Sequence, residues 1–277
     1  MIRQAVLRII FAFLLWSYNA GAEGLVRYLA NEGVMVVHGE AKILFDPLFR
    51  NDYGQYQLVP FEMEQALLAG RPPFDDVDAV FISHYHGDHF SPADLMSFLR
   101  LHDSVHVYAP QQAVDDMQGF EHEEDPVLDR VTAVRLAYRD SPAIFEADGL
   151  HIEAVAIPHS GWPSSSTDVQ NIAFRITMND ELTVLHMGDA DSNVAHFAHD
   201  ADFWSQRKLQ LALPPYWYFL SAGGRTVLLD RLKPARTIGI HVPRTIRADP
   251  ASRRPELREV DLFTQPGETR KLDSGDR

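Results

Sequence analysis

Short apolar runs, separated by Gly, Pro and Asp, recur along the whole chain, and most are too brief for helices. Residues 34–38 and 42–45 flank Gly39-Glu40-Ala41, a pattern that reads as a hairpin ended by Asp46-Pro47. The stretch 47–76 has no strong strand pattern; it predicts a short helix at 62–69 and a break at Arg71-Pro72-Pro73. Residues 77–83 predict a strand, and Ser91-Pro92-Ala93-Asp94 starts a helix with Ser91 as cap and proline in the first turn. A strand at 105–109 and a helix at 110–117 follow. Strand-like runs then recur at 131–136, 151–157, 172–178, 182–186, 209–213 and 237–241, with a helix at 221–232 before the last of them. After Pro243 the chain turns polar and rich in Arg, Glu and Pro, so 251–277 is expected to be a loose tail. The interleaving predicts a mixed α/β chain with one folded domain over 23–250.

The first 22 residues follow different rules. Arg3 and Arg8 precede an apolar run over 9–16, and Ala20-Gly21-Ala22 comes just before the first acid, Glu23. A basic start, a short apolar core and an Ala-x-Ala end are the three parts of a secretory signal. Eight apolar residues are too few for a bilayer core that needs about 20 in a helix. The expectation is an export signal cut near Ala22, no membrane span in the mature chain, and a periplasmic or secreted protein. A buried first helix and a retained anchor are the competing readings.

Composition narrows the partners. Hydrophobic residues at 45% and charged residues at 23% suit a soluble globular chain, but acids outnumber bases 39 to 25. A formal net charge of -14 opposes nucleic acid and anionic lipid as the main partner and leaves a small molecule as the expected substrate. The absence of cysteine removes disulfides, thiol nucleophiles and thiolate metal sites. Thirteen histidines leave imidazole and carboxylate as the available metal chemistry.

That chemistry concentrates in Ser83-His84-Tyr85-His86-Gly87-Asp88-His89, directly after the strand at 77–82. In extended chain, residues two apart point to one side, so His84 and His86 can share a metal. Gly87 lets the chain turn, sending Asp88 and His89 toward a second ion. A buried carboxylate among imidazoles needs a compensating charge, which a divalent cation supplies. His159, Asp189 and His241 each close a later strand, where loops on a rigid scaffold carry function. Taken singly, each is as readily a solvated strand end. Tyr216 and Trp217, in Pro214-Pro215-Tyr216-Trp217-Tyr218-Phe219, are candidates for the apolar wall of a substrate pocket, against core packing or a dimer contact. Trp162 with 164–167 offers a second lip. His186 is a candidate partner of Asp189 or proton donor, against a solvated strand end, and Arg244 is a candidate anion holder, against an exposed tail residue.

His84-x-His86-x-Asp88-His89, followed by His159, Asp189 and His241, resembles the metal-ligand series of the metallo-β-lactamase superfamily, over about residues 25–245. Asp46 resembles the superfamily's first motif, which supports the site without ligating it. The early hairpin, Pro158-His159-Ser160, and His186 two residues before Gly188-Asp189 are similar to L-ascorbate-6-phosphate lactonase-type proteins. The resemblance implies a four-layer αβ/βα sandwich, two mixed β-sheets flanked by helices. It implies that His84, His86 and His159 hold one metal ion, that Asp88, His89 and His241 hold another, and that Asp189 bridges them. His86 stands where the di-iron oxygen- and nitric-oxide-reducing members carry Glu, which points to a hydrolytic pair of divalent ions, zinc first, with manganese or iron as alternatives. Asp189 stands where true β-lactamases usually lack an Asp. The implied activity is hydrolysis of an ester-like bond, a lactone or phosphodiester, by a hydroxide held between the metals, with Asp88 orienting it or taking its proton. A phospholipase-type hydrolase of lipid phosphodiesters and a non-catalytic metal-binding protein are the alternatives.

Overall fold

The protein is described by a computed structural model over residues 24–120, 125–198 and 201–272, so the export signal expected over 1–22 lies outside the described residues. Seven strands make the first sheet: β1 (Gly24–Ala30), β2 (Gly33–His38), β3 (Ala41–Phe45), β4 (Ala79–Phe81), β5 (His106–Pro110), β6 (Val131–Val134) and, from the far end of the chain, β13 (Thr269–Leu272). They lie in the order β13-β1-β2-β3-β4-β5-β6, antiparallel as far as β3 and parallel beyond it. The second sheet holds β7 (Ala143–Ala147), β8 (Leu150–Ala156), β9 (Ile172–Met178), β10 (Leu182–His186), β11 (Leu211–Leu213) and β12 (Arg236–Thr237). Its order is β12-β11-β10-β9-β8-β7, antiparallel from β7 to β10 and parallel from β10 to β12.

The strands read as unbroken apolar runs because they are buried on both faces. Val34, Val36, Ile43 and Phe45 meet Ile152, Phe174, Ile176 and Val184 between the sheets. The intervening Met35 and Leu44, with Val80 and Val107, turn outward onto helices α1 (Phe61–Leu68), α2 (Pro92–Leu101) and α3 (Gln111–Phe120). On the far side, Ala173, Leu185 and Ala212 pack under α4 (Ala201–Ser205), α5 (Ala222–Thr226) and the turns around them. The result is the expected four-layer sandwich. Helix α2 shows how local signals set it up: Ser91 Oγ accepts from the Asp94 N–H at 3.4 Å, Pro92 opens the first turn, and Leu95 and Leu99 share the buried face. Burying each such leucine is worth roughly 1.5–3 kcal/mol.

Three sequence expectations need correction. The helix expected over 221–232 is two pieces: α5 widens into a looser π-type turn at Val227–Leu232, which stops at Lys233 with a left-handed φ of 48°. Strands β1 and β7 were not expected. The part of the polar tail that is described, 251–272, is folded: β13 pairs with β1, and Phe263 is fully buried and stacks on Tyr28 at 5.1 Å. Its polarity misleads because the charges neutralise one another in place. Arg236 and Arg270 both pair with Asp261, and Arg270 also reaches Glu268. Among the described residues no helix is long and apolar enough to cross a membrane.

Candidate metal centre

The loops leaving β4, β8, β10 and β12 meet at one end of the sandwich and bring all seven predicted ligands together. Asp46, at the end of β3 with φ at 40°, organises the first of them. Its Oδ1 accepts from the Ser83 N–H at 2.7 Å, and its Oδ2 accepts from the Ser83 hydroxyl at 2.5 Å and His89 Nδ1 at 2.9 Å. Since the Ser83 proton is spent on Asp46, Ser83 Oγ must accept from His84 Nδ1, 3.0 Å away. Both imidazoles are thereby locked with Nε2 turned inward. His159 reaches the same state by donating from Nδ1 to the Ser160 carbonyl at 2.9 Å.

Two asparagines that the sequence reading passed over tie the loops together. Asn171 Nδ2 donates to the carbonyls of Ile157 and Met187, each at 3.2 Å, and its Oδ1 accepts from the Asp189 N–H at 2.9 Å. It therefore spaces the His159 loop from the Asp189 loop. Gly188 makes this approach possible: its φ is 53°, and a Cβ there would sit 2.4 Å from Asn171 Oδ1 and 2.6 Å from Ser83 Cβ. Asn31, in the turn between β1 and β2, donates from Nδ2 to the Asp88 carbonyl at 2.9 Å and to Asp88 Oδ2 at 3.3 Å. Its own carbonyl accepts from the His241 N–H at 2.9 Å, holding a histidine whose φ of 57° is uncommon for a residue with a Cβ.

Asp189 occupies the middle. Its Oδ2 lies 3.2 Å from His159 Nε2 and 3.9 Å from His84 Nε2, while its Oδ1 lies 3.1 Å from His241 Nε2 and 3.4 Å from His89 Nε2. His241 Nε2 is also 3.4 Å from Asp88 Oδ2. Two donor groups result, His84/His86/His159/Asp189 and Asp88/His89/His241, each with ligand atoms within 4.8 Å of one another. His86 is partly open to solvent and the others are buried. The Nε2 atoms of His89, His159 and His241 and Oδ1 of Asp189 are buried without a hydrogen-bond partner. Orphaned polar atoms cost about 1–3 kcal/mol each, so four converging ones mark a place built for a further ligand. Imidazole and carboxylate donors with no thiolate suit divalent cations.

The electrostatics point the same way. Burial works against the charge of Asp189, but the imidazoles of His241 and His89 win and hold its carboxyl well below the usual range. Burial likewise opposes the charge on His241, yet Asp189 and Asp88 lift it to about 9. His84 moves the opposite way, pushed well below its ordinary value by burial and by His89 beside it. Without cations, the carboxylates recruit protons onto the nearest imidazoles to balance their charge.

Around this centre, Trp217 stands edge-on to His241 at 5.2 Å, with its Nε1 donating to the Ala190 carbonyl at 3.3 Å. Tyr216 is next to it but packs beside Val242, Leu257 and Leu262. On another side of His241 stands Tyr56, at 4.2 Å and nearly perpendicular, a neighbour that lay in a segment without pattern. Trp162 lines a cleft with Tyr138 and Gln170. His186 is no solvated strand end: it is fully buried, stacked on Phe45 at 4.8 Å, and donates from Nε2 to the Glu32 carbonyl at 3.1 Å. Arg244 is neither tail nor free cation, since it pairs with Asp52 at 2.7 Å. Glu32, also fully buried, was not singled out because Asn31-Glu32-Gly33 reads as an ordinary turn.

A family model described as a β-lactamase superfamily domain matches residues 41–242. No curated protein matches the chain. Among solved structures, a metallo hydrolase from the hyperthermophilic archaeon Ignicoccus hospitalis aligns with a TM-score of 0.60 at 19% identity, over 90% of this chain and 98% of its own. Isothiocyanate hydrolase from Delia radicum gut bacteria aligns with a TM-score of 0.60 at 16% identity, over 89% and 98%. The short form of human tRNase Z aligns with a TM-score of 0.55 at 12% identity, over 90% and 99%. At such identities the likeness is one of fold.

Proposed function

The chain belongs to the β-lactamase superfamily, and on that premise we propose that it is an exported, binuclear metal-dependent hydrolase cleaving an ester-like bond, a lactone or a phosphodiester, in a small molecule. The observation that carries the reading is the division of Asp189, one oxygen toward each histidine set. His84, His86 and His159 would hold one ion and Asp88, His89 and His241 the other, with zinc the first choice for borderline nitrogen and oxygen donors. Divalent cations there supply Lewis acidity and acidify water toward neutral pH.

The chain's own groups do the rest. Asp88 resists its burial: the imidazoles of His89 and of His241, whose Nε2 lies 3.4 Å away, hold its carboxyl below the usual range, so it is ionised at neutral pH. Asn31 fixes its orientation. In this scheme Asp88 takes the proton as water adds to the carbonyl carbon or phosphorus, and the proton passes to the leaving oxygen as the old bond breaks. Trp217 and Tyr56 supply apolar surface beside His241 for the substrate. A net charge of -14 favours a small molecule over a nucleic acid. Export rests on residues 1–22, and N-terminal sequencing of the secreted chain should begin near Glu23.

Metal content by mass spectrometry, coupled to a hydrolysis screen of lactones, phosphodiesters, β-lactams and thioesters before and after chelation, tests the assignment. The expected result is close to two ions per chain and a chelator-sensitive activity lost in Asp88→Ala and His86→Ala. A folded chain that takes up neither zinc nor manganese would overturn it.

A further inference from the structure

We propose that Glu32 is a further ligand of the cation assigned to Asp88, His89 and His241, reaching it from the protein interior; this rests on the two-cation reading above. Glu32 is fully buried, and neither oxygen of its carboxylate has a hydrogen-bond partner. It lies within 4.8 Å of ligand atoms of both His89 and Asp189. The neighbours within reach of it are already engaged. His186 Nε2 is 3.3 Å from Glu32 Oε2 but spends its proton on the Glu32 carbonyl, and its Nδ1 accepts from the Gly188 N–H at 3.4 Å. Stacking on Phe45 keeps that ring in place. Asp46 is a carboxylate whose oxygens already accept from Ser83 and His89.

Charge balance supports the same assignment. Glu32, Asp46, Asp88 and Asp189 are four buried carboxylates at one site. With neutral imidazoles, two divalent cations match their charge, and a buried carboxylate without such a partner is strongly disfavoured. Glu32 is unlike a mere structural acid, which would carry its own Arg or backbone donors.

Zinc binding to the mature chain, followed by chelator competition and mass spectrometry, tests this in Glu32→Gln and Glu32→Asp. The wild type is expected to bind two ions. Glu32→Gln should keep one and bind the second at least about tenfold more weakly. Glu32→Asp, which keeps the charge but shortens the reach, should also weaken the second ion and guards against a folding defect in the amide. Titration with Co²⁺ gives an independent readout: the visible spectrum of the second equivalent should change in both variants and that of the first should not. Metal-free Glu32→Gln should melt no lower than metal-free wild type, since the carboxyl it replaces has no hydrogen-bond partner to lose. Wild-type affinity for both ions in both variants would overturn the assignment of Glu32 alone. A wild type that binds no ion overturns the two-cation reading and this inference with it.

Discussion

Two buried groups of charges in this protein are built on opposite plans. Across β8 and β9, Arg175 meets Glu153 with two parallel hydrogen bonds of 2.7 Å, donates a third at 2.8 Å to the Phe203 carbonyl, and lies 3.8 Å from the Phe203 ring centre. Donor and acceptor match inside the chain, and nothing is left over. At the end of the sandwich, by contrast, His89, His159, His241, Asp189 and Glu32 keep buried atoms that the chain does not satisfy. Both groups are equally hidden from water, so burial by itself does not separate structure from function. The separating property is whether the polar atoms close on one another or converge on a common point without closing.

The largest effect should come from Asp189→Ala. It removes the group facing both histidine sets, and hydrolysis is expected to fall by about 10³-fold or more, given that metal ions supply several kcal/mol at 1.36 kcal/mol per tenfold. Metal stoichiometry should fall below that of the wild type, whereas wild-type stoichiometry would break the contrast between the two groups. Glu153→Ala is the mirror experiment. Leaving Arg175 buried without its partner should cost about 3–5 kcal/mol in urea unfolding while metal stoichiometry stays at the wild-type value. Chelation should then lower the melting point of the wild type, with about 2.7 kcal/mol of stability lost where free metal had stood at 100 times its Kd. The same shift in Glu153→Ala would sharpen the separation.

Asp46→Asn should weaken metal binding by about 10- to 100-fold, because it loosens His89 and Ser83 without removing a ligand. The smallest effect concerns a surface pair outside both groups. Burial of Asp94 works to raise its carboxyl, but hydrogen bonds from Arg50 at 2.6 and 2.7 Å and from Ser91 hold it below the usual range. Its contribution to stability is present above the unfolded carboxylate pKa and is lost as pH falls through the depressed folded value. Asp94→Asn should therefore cost under about 1 kcal/mol at pH 7, since the pair is partly exposed, and less as the pH falls through the acid range. Denaturant midpoints at pH 7 and in the acid range check it.

How much could be read in advance follows the range of the signal. His84, His86, Asp88 and His89 stand within one turn-and-strand of each other, so the spacing announces them, and the later ligands sit at strand ends that the apolar pattern marks. Glu32 and Asn31 escaped because they lie in a two-residue turn that any hairpin could use, far in the chain from what they touch. Tyr56 lay in a stretch with no periodicity. The tail was misread because Arg270, Asp261 and Arg236 look like solvated charges until they are paired, and the short apolar pair Leu262-Phe263, set among charged and polar residues, is too brief to declare the burial of Phe263 on Tyr28.

The chain by itself determined the mixed α/β class, the layered burial of its strands, and a histidine–carboxylate metal chemistry, because each is written in local spacing or composition. Only the tertiary structure decided which oxygen of Asp189 faces which histidines, that Asn171 and Asn31 set the spacing between loops, and that Glu32 lies beneath the site. Those are relations between residues brought together by strand pairing and core packing over sequence separations too long for any local pattern to encode.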